Sequence, residues 1–412
     1  MALIVQKFGG TSVAGVDRIR NVARRVVETK KRGNDVVVVV SAMAGVTDQL
    51  VALANEMSPA PDPREYDMLV STGEQQTIAL TAMAIQGMGV PAKSFTSGQV
   101  KVQTDDDHAR ARILRIDSAR IREELARGGV PVLPGFQGVT DEGEITTLGR
   151  GASDTTAVAL AAALKADVCE IFTDVTGVFT SDPRMVPNAR KLERVSYDEI
   201  LEMASLGAKV LAVRSAKIGM KYRVPIHVRS TFSEEEGTWV VPESEVIERL
   251  VVSSVTYNRG EAKVTIFGVP DVPGIAAKIF GPLSDSGVVV DMIVQNVSSQ
   301  GHTDMTFTVA KGDVKRALAH VEGVARALGA AGVASDADVA KVSVVGLGMK
   351  DHAGVAGKMF KVLSEHGVNI QMISTSEIKI SVVIAEKYTE LACRALHDAF
   401  ELGAASPEAE ER

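Results

Sequence analysis

The chain of 412 residues is poor in cysteine and in aromatic residues. Its two cysteines, Cys169 and Cys393, lie far apart in apolar surroundings, so they predict neither a disulfide framework nor a metal site. No run of about 18 apolar residues is present to cross a bilayer, and a first strand beginning at Ala2 leaves no signal peptide. These absences predict a cytoplasmic protein that is not bound to a membrane.

The chain also lacks a strong excess of one charge. Its net charge is −7 with both signs interspersed, which argues against a nucleic-acid or anionic-membrane partner. The 45% hydrophobic and 24% charged content is ordinary for globular proteins. A chain of this length is usually divided into roughly two to four domains.

Two common nucleotide-binding motifs are missing as well. A P-loop requires Lys-Ser or Lys-Thr after its second spaced glycine, but Val16 and Asp17 follow the Gly10–Gly15 spacing. The Gly346-Leu-Gly348 sequence has Asp351 where a dinucleotide fingerprint needs its third glycine. The sequence therefore supports neither a P-loop NTPase nor a Rossmann dehydrogenase.

The most informative segment present is Gln6-Lys-Phe-Gly-Gly-Thr-Ser12, directly after the apolar run Ala2–Val5. It predicts a strand that delivers Lys7, two glycines with accessible backbone N–H groups, and a Thr-Ser cap of a helix. A cation, amides and a helix N-terminus at one point are what a polyphosphate needs. The alternative is an ordinary strand–turn–helix with a surface lysine.

Further segments carry polar groups at expected strand ends or helix starts. Thr147–Asp154 places glycines, Arg150 and a Ser-Asp cap before an Ala-rich helix, and Arg150 could clamp a carboxylate in a bidentate contact. After a buried strand come Thr173-Asp174 and Thr180–Arg184, whose acids could bind Mg²⁺ or hold a nucleotide. The alternatives are a solvated turn arginine and acids that only cap turns. Ser41 and Thr47 flank a turn after a strand, where a hydroxyl is more often a cap than a ligand. Glu74 lies in a helical stretch, where a glutamate is more often on a solvated face.

Strands alternate with helices up to about residue 230, which predicts an α/β sandwich with a mainly parallel sheet. Because ligands in such sheets lie beyond the carboxyl ends of the strands, the segments above fall where a site is expected. The strand candidates are Leu3–Phe8, Val36–Val40, Ala92–Phe95, Val130–Phe136, Val168–Thr173 and Ile226–Ser230, and the helix candidates are 16–32, 64–87, 116–127, 154–165, 196–206 and 209–221.

Beyond an acidic boundary at 231–248, the chain repeats itself. Lys263-Val-Thr-Ile-Phe-Gly matches Lys341-Val-Ser-Val-Val-Gly, and Gly274-Ile-Ala-Ala-Lys-Ile-Phe matches Gly354-Val-Ala-Gly-Lys-Met-Phe, at offsets of 78 and 80 residues. This spacing predicts two small homologous domains. The second copy ends in a helix without a last strand, so we expect the β-rich segment Leu250–Thr256 to supply one.

Taken together, the motifs resemble those of aspartokinase. The resemblance rests on Lys7-Phe-Gly-Gly-Thr-Ser12, Gly149-Arg-Gly-Ala-Ser-Asp154 and Thr173-Asp-Val-Thr-Gly-Val-Phe-Thr-Ser-Asp-Pro-Arg184, followed by two ACT-like copies. It covers nearly the whole chain and fits the short monofunctional form. It implies an amino-acid-kinase-type three-layer α/β sandwich followed by two ferredoxin-like (βαββαβ) ACT domains.

The implied layout has five parts. They are a catalytic domain (1–245), a linker with the strand donated to the second ACT domain (246–261), a first ACT domain (262–340), a second (341–403) and a tail (404–412).

The resemblance also implies roles for individual residues, with ATP and Mg²⁺ as cofactors and L-aspartate as acceptor. Lys7 would contact the transferring phosphoryl group, Asp154 would orient Lys7, and the metal would be bound through the ATP phosphates. The remaining residues would line the nucleotide (Gly9, Gly10, Ser41, Thr173, Asp174, Phe179, Asp182, Arg184 and Lys209) or hold aspartate (Thr47, Glu74, Arg150, Gly151 and Ser153). The sequence departs from the family pattern at two places. Phe179 stands where the family often has tyrosine, and Ala-Val-Arg214 stands where many relatives have His-Pro-Arg.

The ACT pair implies feedback by lysine and threonine in a homodimer or tetramer. The expected effector residues are Asp271, Gly274, Ile275, Ala276, Gln295 and Asn296 in the first copy, and Asn369, Ile370, Ser376 and Glu377 in the second. Some relatives add a shorter ACT-only subunit from an internal start, which here would need a non-AUG codon near Val246 because no Met falls between Met220 and Met292.

Two alternatives to an aspartate kinase remain. Another carboxylate kinase, acting on glutamate or N-acetylglutamate, would share the fold, although the contexts of Arg150 and Glu74 favour aspartate. A catalytically dead amino-acid sensor would keep the fold as a scaffold. The presence of Lys7, Asp154 and Asp174 argues against a sensor.

Overall fold

The computed structural model describes residues 1–149, 151–208, 210–246, 251–296, 301–352 and 354–404. Contacts within the chain group it into two compact units. Unit 1 comprises Met1–Val178, Lys191–Ser205 and Lys209–Glu248, and unit 2 comprises Phe179–Arg190, Leu206–Ala208 and Arg249–Arg412. The five-part layout expected from the sequence stays a prediction. The grouping adds that two short segments, Phe179–Arg190 and Leu206–Ala208, pack with the C-terminal half of the chain.

The strands of unit 1 form a large sheet and a small one. In chain order they are β1 (Leu3–Phe8), β2 (Asp35–Val40), β3 (Ala92–Ser94), β4 (Val102–Thr104), β5 (Ile113–Ile116), β6 (Val130–Pro134), β7 (Gln137–Val139), β8 (Ile145–Thr147), β9 (Val168–Thr173), β10 (Arg194–Ser196), β11 (Ile226–Ser230) and β12 (Thr238–Val241). The large sheet has the order β10-β12-β11-β9-β1-β2-β6-β3, and the small sheet has the order β5-β4-β7-β8.

The large sheet is parallel except where β11 meets β12. All five valines Val36–Val40 of β2 are fully buried, as expected for a parallel strand covered on both faces. The strands predicted from the sequence are all present. A mainly parallel sheet in a sandwich with helices was therefore predicted correctly.

Unit 1 has helices packed on its large sheet and others packed beside its small sheet. They are α1 (Val16–Lys31), α2 (Val46–Met57), α3 (Pro63–Val70), α4 (Thr72–Gln86), α5 (Ala119–Ala126), α6 (Ser153–Leu164), α7 (Tyr197–Ser205) and α8 (Val213–Tyr222). Helices α2 and α3 are those beside the small sheet. Helices α1 and α4 share one apolar core with alternate residues of β2. No helix among the described residues is long and apolar enough to span a bilayer.

The single helix predicted over 64–87 is wrong, because the chain forms α3 and α4 with a break at Ser71. The hydroxyls of Ser71 and Thr72 bond the carbonyls of Met68 and Leu69, a local pattern that competes with a continuous helix. A Cβ on Gly73 would lie 2.9 Å from the Ala42 Cβ, so only glycine allows this close approach. The break places the first turn of α4 against the loop that follows β2.

Unit 2 contains two four-stranded antiparallel sheets, each covered by two helices. Its elements are β13 (Ser254–Asn258), β14 (Glu261–Pro270), α9 (Ile275–Asp285), β15 (Val290–Gln295), β16 (His302–Ala310), α10 (Val314–Ala327), β17 (Gly332–Asp336), β18 (Val339–Val345), α11 (Val355–Glu365), β19 (Ile370–Thr375), β20 (Lys379–Ala385) and α12 (Thr389–Ala399). The sheet orders are β15-β16-β14-β17 and β13-β18-β20-β19.

The last three residues of the expected segment Leu250–Thr256 belong to β13, which continues beyond that segment and pairs antiparallel with β18. Leu250 lies outside the described residues. In the first copy, β17 pairs antiparallel with β14 at the equivalent place. The first copy is thus inserted between β13 and the rest of the second. Val255 of β13 is fully buried in the same core as Val342 and Ile384.

We expect Val255→Ala to lower the stability of the second copy by about 2 kcal/mol, because it removes buried methyl groups from that core. Hydrogen exchange should accelerate in β18 and β20 and stay unchanged in β14 and β16. Val289→Ala, at a valine that is 75% exposed, is the matched control. Equal acceleration in both copies would contradict the assignment of β13 to the second copy.

Candidate active site

Unit 1 contains a cavity of about 370 Å³ beyond the carboxyl ends of β1 and β2. Eight of the residues singled out by the sequence line it, namely Lys7, Gly10, Ser41, Thr47, Glu74, Gly151, Ser153 and Asp154. These residues come from segments up to 147 positions apart in the chain, between Lys7 and Asp154. The fold therefore gathers most of the expected catalytic and acceptor-binding residues at one place.

Lys7 and Asp154 form a buried ion pair, with 2.6 Å between Lys7 Nζ and Asp154 Oδ1. Lys7 lies on β1 in the interior of the sheet, aligned with Val39 of β2 and Ile171 of β9. Asp154 lies in the first turn of α6. Because an ammonium has three donors, the pair leaves Lys7 able to donate to a ligand in the cavity.

The two glycines after β1 differ in what their backbones do. The sequence predicted that the Gly9 N–H would be available to a phosphate. Instead it donates to the Phe172 carbonyl at 3.2 Å in this conformation. Gly10 lines the cavity, and a Cβ there would lie 3.0 Å from the Ala42 carbonyl oxygen. Gly10 thus allows the turn after β1 to pass close to the loop after β2.

Ser41 and Ser153 meet in the cavity wall, where Ser41 Oγ donates to Ser153 Oγ at 3.0 Å. The sequence assigned Ser41 to the nucleotide and Ser153 to the acceptor, and the fold makes them neighbours. A Cβ on Gly135 would lie 2.5 Å from the Ser153 Cβ, so the chain after β6 can approach the start of α6 only at a glycine.

Glu74 enters the cavity from the first turn of α4 and is 3% exposed. Its Oε1 accepts from the Ala42 N–H at 3.1 Å, and its Oε2 accepts from Gln137 Nε2 at 3.3 Å. Gln137 also donates to the Ser71 carbonyl at 3.0 Å. Sequence reasoning missed Gln137, because a lone glutamine in a short apolar strand carries no signal of its own.

Burial raises the pKa of Glu74 from 4.5 to about 7, against the opposing effect of the bonds from Ala42 and Gln137. Near neutral pH the side chain is therefore close to the point at which it changes charge. A cationic group entering the cavity would favour the carboxylate form.

Two expected site residues, Arg150 and Lys209, lie outside the described residues. Gly151, next to Arg150, and Thr47, at the start of α2, line the cavity. The roles of Arg150 and Lys209 stay predictions from the sequence.

The motif expected to line the nucleotide is divided between the units. Thr173 and Asp174 belong to unit 1, where Thr173 Oγ1 donates to Asp174 Oδ1 at 3.1 Å. Phe179, Asp182 and Arg184 belong to unit 2. None of these five is among the residues that line the described cavity.

Within unit 2, Asp182 accepts from Arg184 at 2.8 Å and from the Tyr257 hydroxyl at 3.1 Å. The Arg184 bonds lower the pKa of the Asp182 carboxyl. Thr180 Oγ1 lies 2.9 Å from His397 Nε2 of α12, and Arg394 donates to the Met185 carbonyl at 2.7 Å. This part of the motif is thus packed into the second ACT-like copy.

The expected effector residues of the first copy gather at one end of its sheet. Pro270, which precedes Asp271, is aligned with His302, and the Asn296 carbonyl accepts from the Thr303 hydroxyl. In the second copy, Asn369-Ile370 and Ser376-Glu377 lie at opposite ends of the six-residue β19. They are about 20 Å apart at strand spacing, so within one copy a single amino acid cannot contact both pairs.

Comparison with known proteins agrees with this architecture. The sequence profile of the amino acid kinase family matches residues 2–230, and that of the ACT domain matches residues 264–323 and 342–400. An aspartate kinase of Pseudomonas putida is 56% identical over 411 residues, covering all of both chains. The chain belongs to the aspartate kinase family.

Other relatives give the same result. An aspartokinase of Corynebacterium glutamicum is 50% identical over 408 residues, which is 98% of this chain and 97% of the relative. The structure of Escherichia coli aspartokinase III with aspartate and ADP is similar with a TM-score of 0.81 and 27% identity, covering 96% of this chain and 99% of that one. Members of the family are phosphotransferases with a carboxyl group as acceptor, and this chain is an enzyme of that class. Its kinase domain is followed by two ACT domains.

The raised pKa of Glu74 predicts a pH-dependent stability. Between pH 4.5 and about 7 the folded state holds a proton that the unfolded state releases, so the free energy of unfolding falls as the pH rises. We expect a loss of about 3 kcal/mol across this window in the wild type, relative to Glu74→Gln. Fluorescence of the single tryptophan, Trp239 of unit 1, would report denaturant unfolding.

The control for this measurement is Glu142→Gln, at an exposed glutamate of the same unit. It should keep the pH dependence of the wild type. A pH dependence that is the same in Glu74→Gln and in the wild type would show that Glu74 is not the titrating group.

Proposed function

We propose that this chain transfers the γ-phosphoryl group of ATP to the side-chain carboxylate of L-aspartate. The product is 4-phospho-L-aspartate, in the first step of lysine, threonine and methionine biosynthesis. The observation that carries the proposal is the buried Lys7–Asp154 pair in a cavity that also contains Glu74. The Escherichia coli enzyme structure with aspartate and ADP supports the choice of substrates.

The acceptor needs no general base. A free aspartate side chain has a pKa near 3.9, so it is already a carboxylate at neutral pH. The barrier is the approach of this anion to a polyanion and the charge on the phosphoryl oxygens. Lys7, the Gly10 backbone and the N-terminus of α6 are positive groups suited to that task.

Aspartate would be held by complementary charges. Glu74 would accept the substrate ammonium, Arg150 its α-carboxylate, and Thr47, Gly151 and Ser153 would complete the contacts. Because the ammonium would lower the pKa of Glu74, binding should weaken when the pH falls well below 7.

The nucleotide would be contacted by Thr173, Asp174, Phe179, Asp182, Arg184 and Lys209, with Ser41 near its phosphates. Among the described residues, no group of three or more His, Cys, Asp or Glu side chains is arranged to hold a metal ion. Mg²⁺ would be bound chiefly by the ATP phosphates and water, since Mg²⁺ keeps several waters and uses few carboxylates.

Lys7→Ala should reduce turnover at least about a hundredfold to a thousandfold, because it removes a donor to the transferring phosphoryl group. The assay traps the acyl phosphate with hydroxylamine in the presence of ATP and aspartate. Lys31→Ala, at an exposed lysine that ends α1, is the control and should be fully active.

Turnover of Lys7→Ala near that of the wild type would refute this role for Lys7. A wild-type protein that forms no aspartate-dependent hydroxamate would favour the amino-acid sensor. Hydroxamate formed only with glutamate or N-acetylglutamate would favour the other carboxylate kinases.

We also propose feedback inhibition by lysine and threonine at the turn of the first ACT domain. Asp271 precedes the N-terminus of α9, and Gln295 and Asn296 lie at the same end of the sheet, so amides and an acid are available to an amino acid. Gly274, Ile275 and Ala276 begin α9 there. The structure of Escherichia coli aspartokinase III with lysine and aspartate, at a TM-score of 0.76 and 27% identity, supports lysine as an effector.

The assembly would be a homodimer or tetramer joined through the ACT domains. Strands β15 and β19 are edges of their sheets, and Ile293 and Ile373 on them are exposed. An edge strand offers unpaired backbone groups to a second chain. Contributions from two chains would also bring Asn369 and Ile370 near an effector bound to the first copy.

Asp271→Ala should relieve inhibition by lysine plus threonine, with little change in uninhibited turnover. In the wild type we expect the effectors to weaken substrate affinity roughly 5- to 150-fold, the usual range of allosteric coupling. The measurement is the effector concentration that halves activity. Asp285→Ala, an exposed acid at the other end of α9, is the control. Unchanged sensitivity of Asp271→Ala would place the effector site elsewhere.

A further inference from the structure

Two side chains that do not line the cavity bond to the same two segments of its wall. The segments are the 105–111 loop, between β4 and β5, and the Thr147–Gly149 segment, which leads into Arg150. Ala109, Thr147 and Gly149 from these segments line the cavity. The two side chains are Asp67 of α3 and Arg214 of α8.

Asp67 is fully buried and accepts four hydrogen bonds. Its Oδ2 lies 2.8 Å from His108 Nδ1, 2.9 Å from the Ala109 N–H donor and 3.0 Å from the Thr147 N–H donor. Its Oδ1 accepts from the Thr147 hydroxyl at 2.5 Å. One carboxylate thus ties the loop to the segment, and its removal would leave the two buried donors of Thr147 without this partner.

Arg214, in the first turn of α8, bonds to the same two segments. Its guanidinium donates to the Leu148 carbonyl at 2.8 Å and to the Ala111 carbonyl at 3.0 Å. The Ala111 N–H also donates to the Thr147 carbonyl at 2.9 Å. The planar fork of arginine can bridge two carbonyls in a way that a lysine ammonium cannot.

The backbone held in this way includes one residue in an unfavourable conformation. Ala109 has φ +65°, a left-handed conformation that costs a non-glycine residue energy unless its surroundings enforce it. The Ala109 carbonyl oxygen lies only 3.5 Å from where a Cβ of Gly149 would be, so the loop and the segment touch beside the cavity.

We infer that Asp67 and Arg214 are positioning residues for the acceptor substrate. They hold the 105–111 loop against the Thr147–Gly149 segment and thereby fix the cavity wall and the residues that precede Arg150 in the chain. The inference rests on the proposed function, since the acceptor is taken to be aspartate in this cavity. The pair acts on acceptor binding, and the Lys7–Asp154 pair acts on phosphoryl transfer.

The test is steady-state kinetics of Asp67→Ala, Asp67→Asn, Arg214→Met and Arg214→Lys. We expect Asp67→Ala and Arg214→Met to raise the KM for aspartate about tenfold to a hundredfold, as small misplacements do, with kcat and the KM for ATP within about threefold. Asp67→Asn, which keeps an acceptor, should recover most of the affinity. Arg214→Lys should not.

Hydrogen exchange gives a readout that does not require turnover. In Asp67→Ala and Arg214→Met, exchange should accelerate at residues 105–111 and 145–149 and not in β1 or α6. Asp62→Ala is the matched control, because Asp62 caps the same helix through the N–H groups of Arg64 and Glu65. It should loosen α3 and leave the KM for aspartate unchanged.

An unchanged KM for aspartate in Arg214→Met would overturn the inference, as would equal increases for aspartate and ATP. If Asp67→Ala does not fold, Arg214→Met and Asp67→Asn decide the question. A wild-type protein without aspartate-dependent turnover would refute the proposed function. In that case unchanged hydrogen exchange at residues 105–111 in Asp67→Ala and Arg214→Met would separately refute the positioning role of these two residues.

Discussion

The buried ion pair between Lys7 and Asp154 is the constraint on which the catalytic unit depends. An ammonium on a central parallel strand is taken out of water, and it is tolerated there only with a charged partner at close range. That partner is in the first turn of α6, so α6 must begin directly above β1. Two neighbouring loops also pass close together around the start of α6. Each does so at a glycine, Gly10 beside Ala42 and Gly135 beside Ser153.

The cavity combines a buried ion pair with a buried carboxyl group in a different environment. Lys7 has a fixed partner, whereas Glu74 is held by neutral donors and has a pKa raised to about 7. An environment of this kind is poised to respond to a cationic group of a ligand, while Lys7 is poised to meet an anionic one.

Unit 2 shows how a duplicated fold can be completed by a strand from elsewhere. The first copy closes its own sheet with β17, and the second receives β13 from the segment that precedes the first. The core of the second copy also includes Met185 and Val186, from the segment Phe179–Arg190. Half of the motif assigned to the nucleotide is thus built into the ACT-like unit, and the positions of Asp182 and Arg184 depend on the packing of that core.

The sequence by itself determined the layers, the repeat, the parallel strands and the place of Lys7 before a glycine turn, because periodicity and glycine motifs are local signals. The partnership of Asp154 with Lys7 was implied by the resemblance to aspartokinase. The need of the second copy for a strand could be argued from counting elements in the repeat. Only the tertiary structure decided the break at Ser71, the engagement of the Gly9 amide and the grouping of Phe179–Arg190 with unit 2. Gln137, Asp67 and Arg214 likewise gain their importance from partners 63, 80 and 66 residues away, at Glu74, Thr147 and Leu148. Hydrogen bonds between distant segments are set by how the layers pack, and no local pattern of residues encodes them.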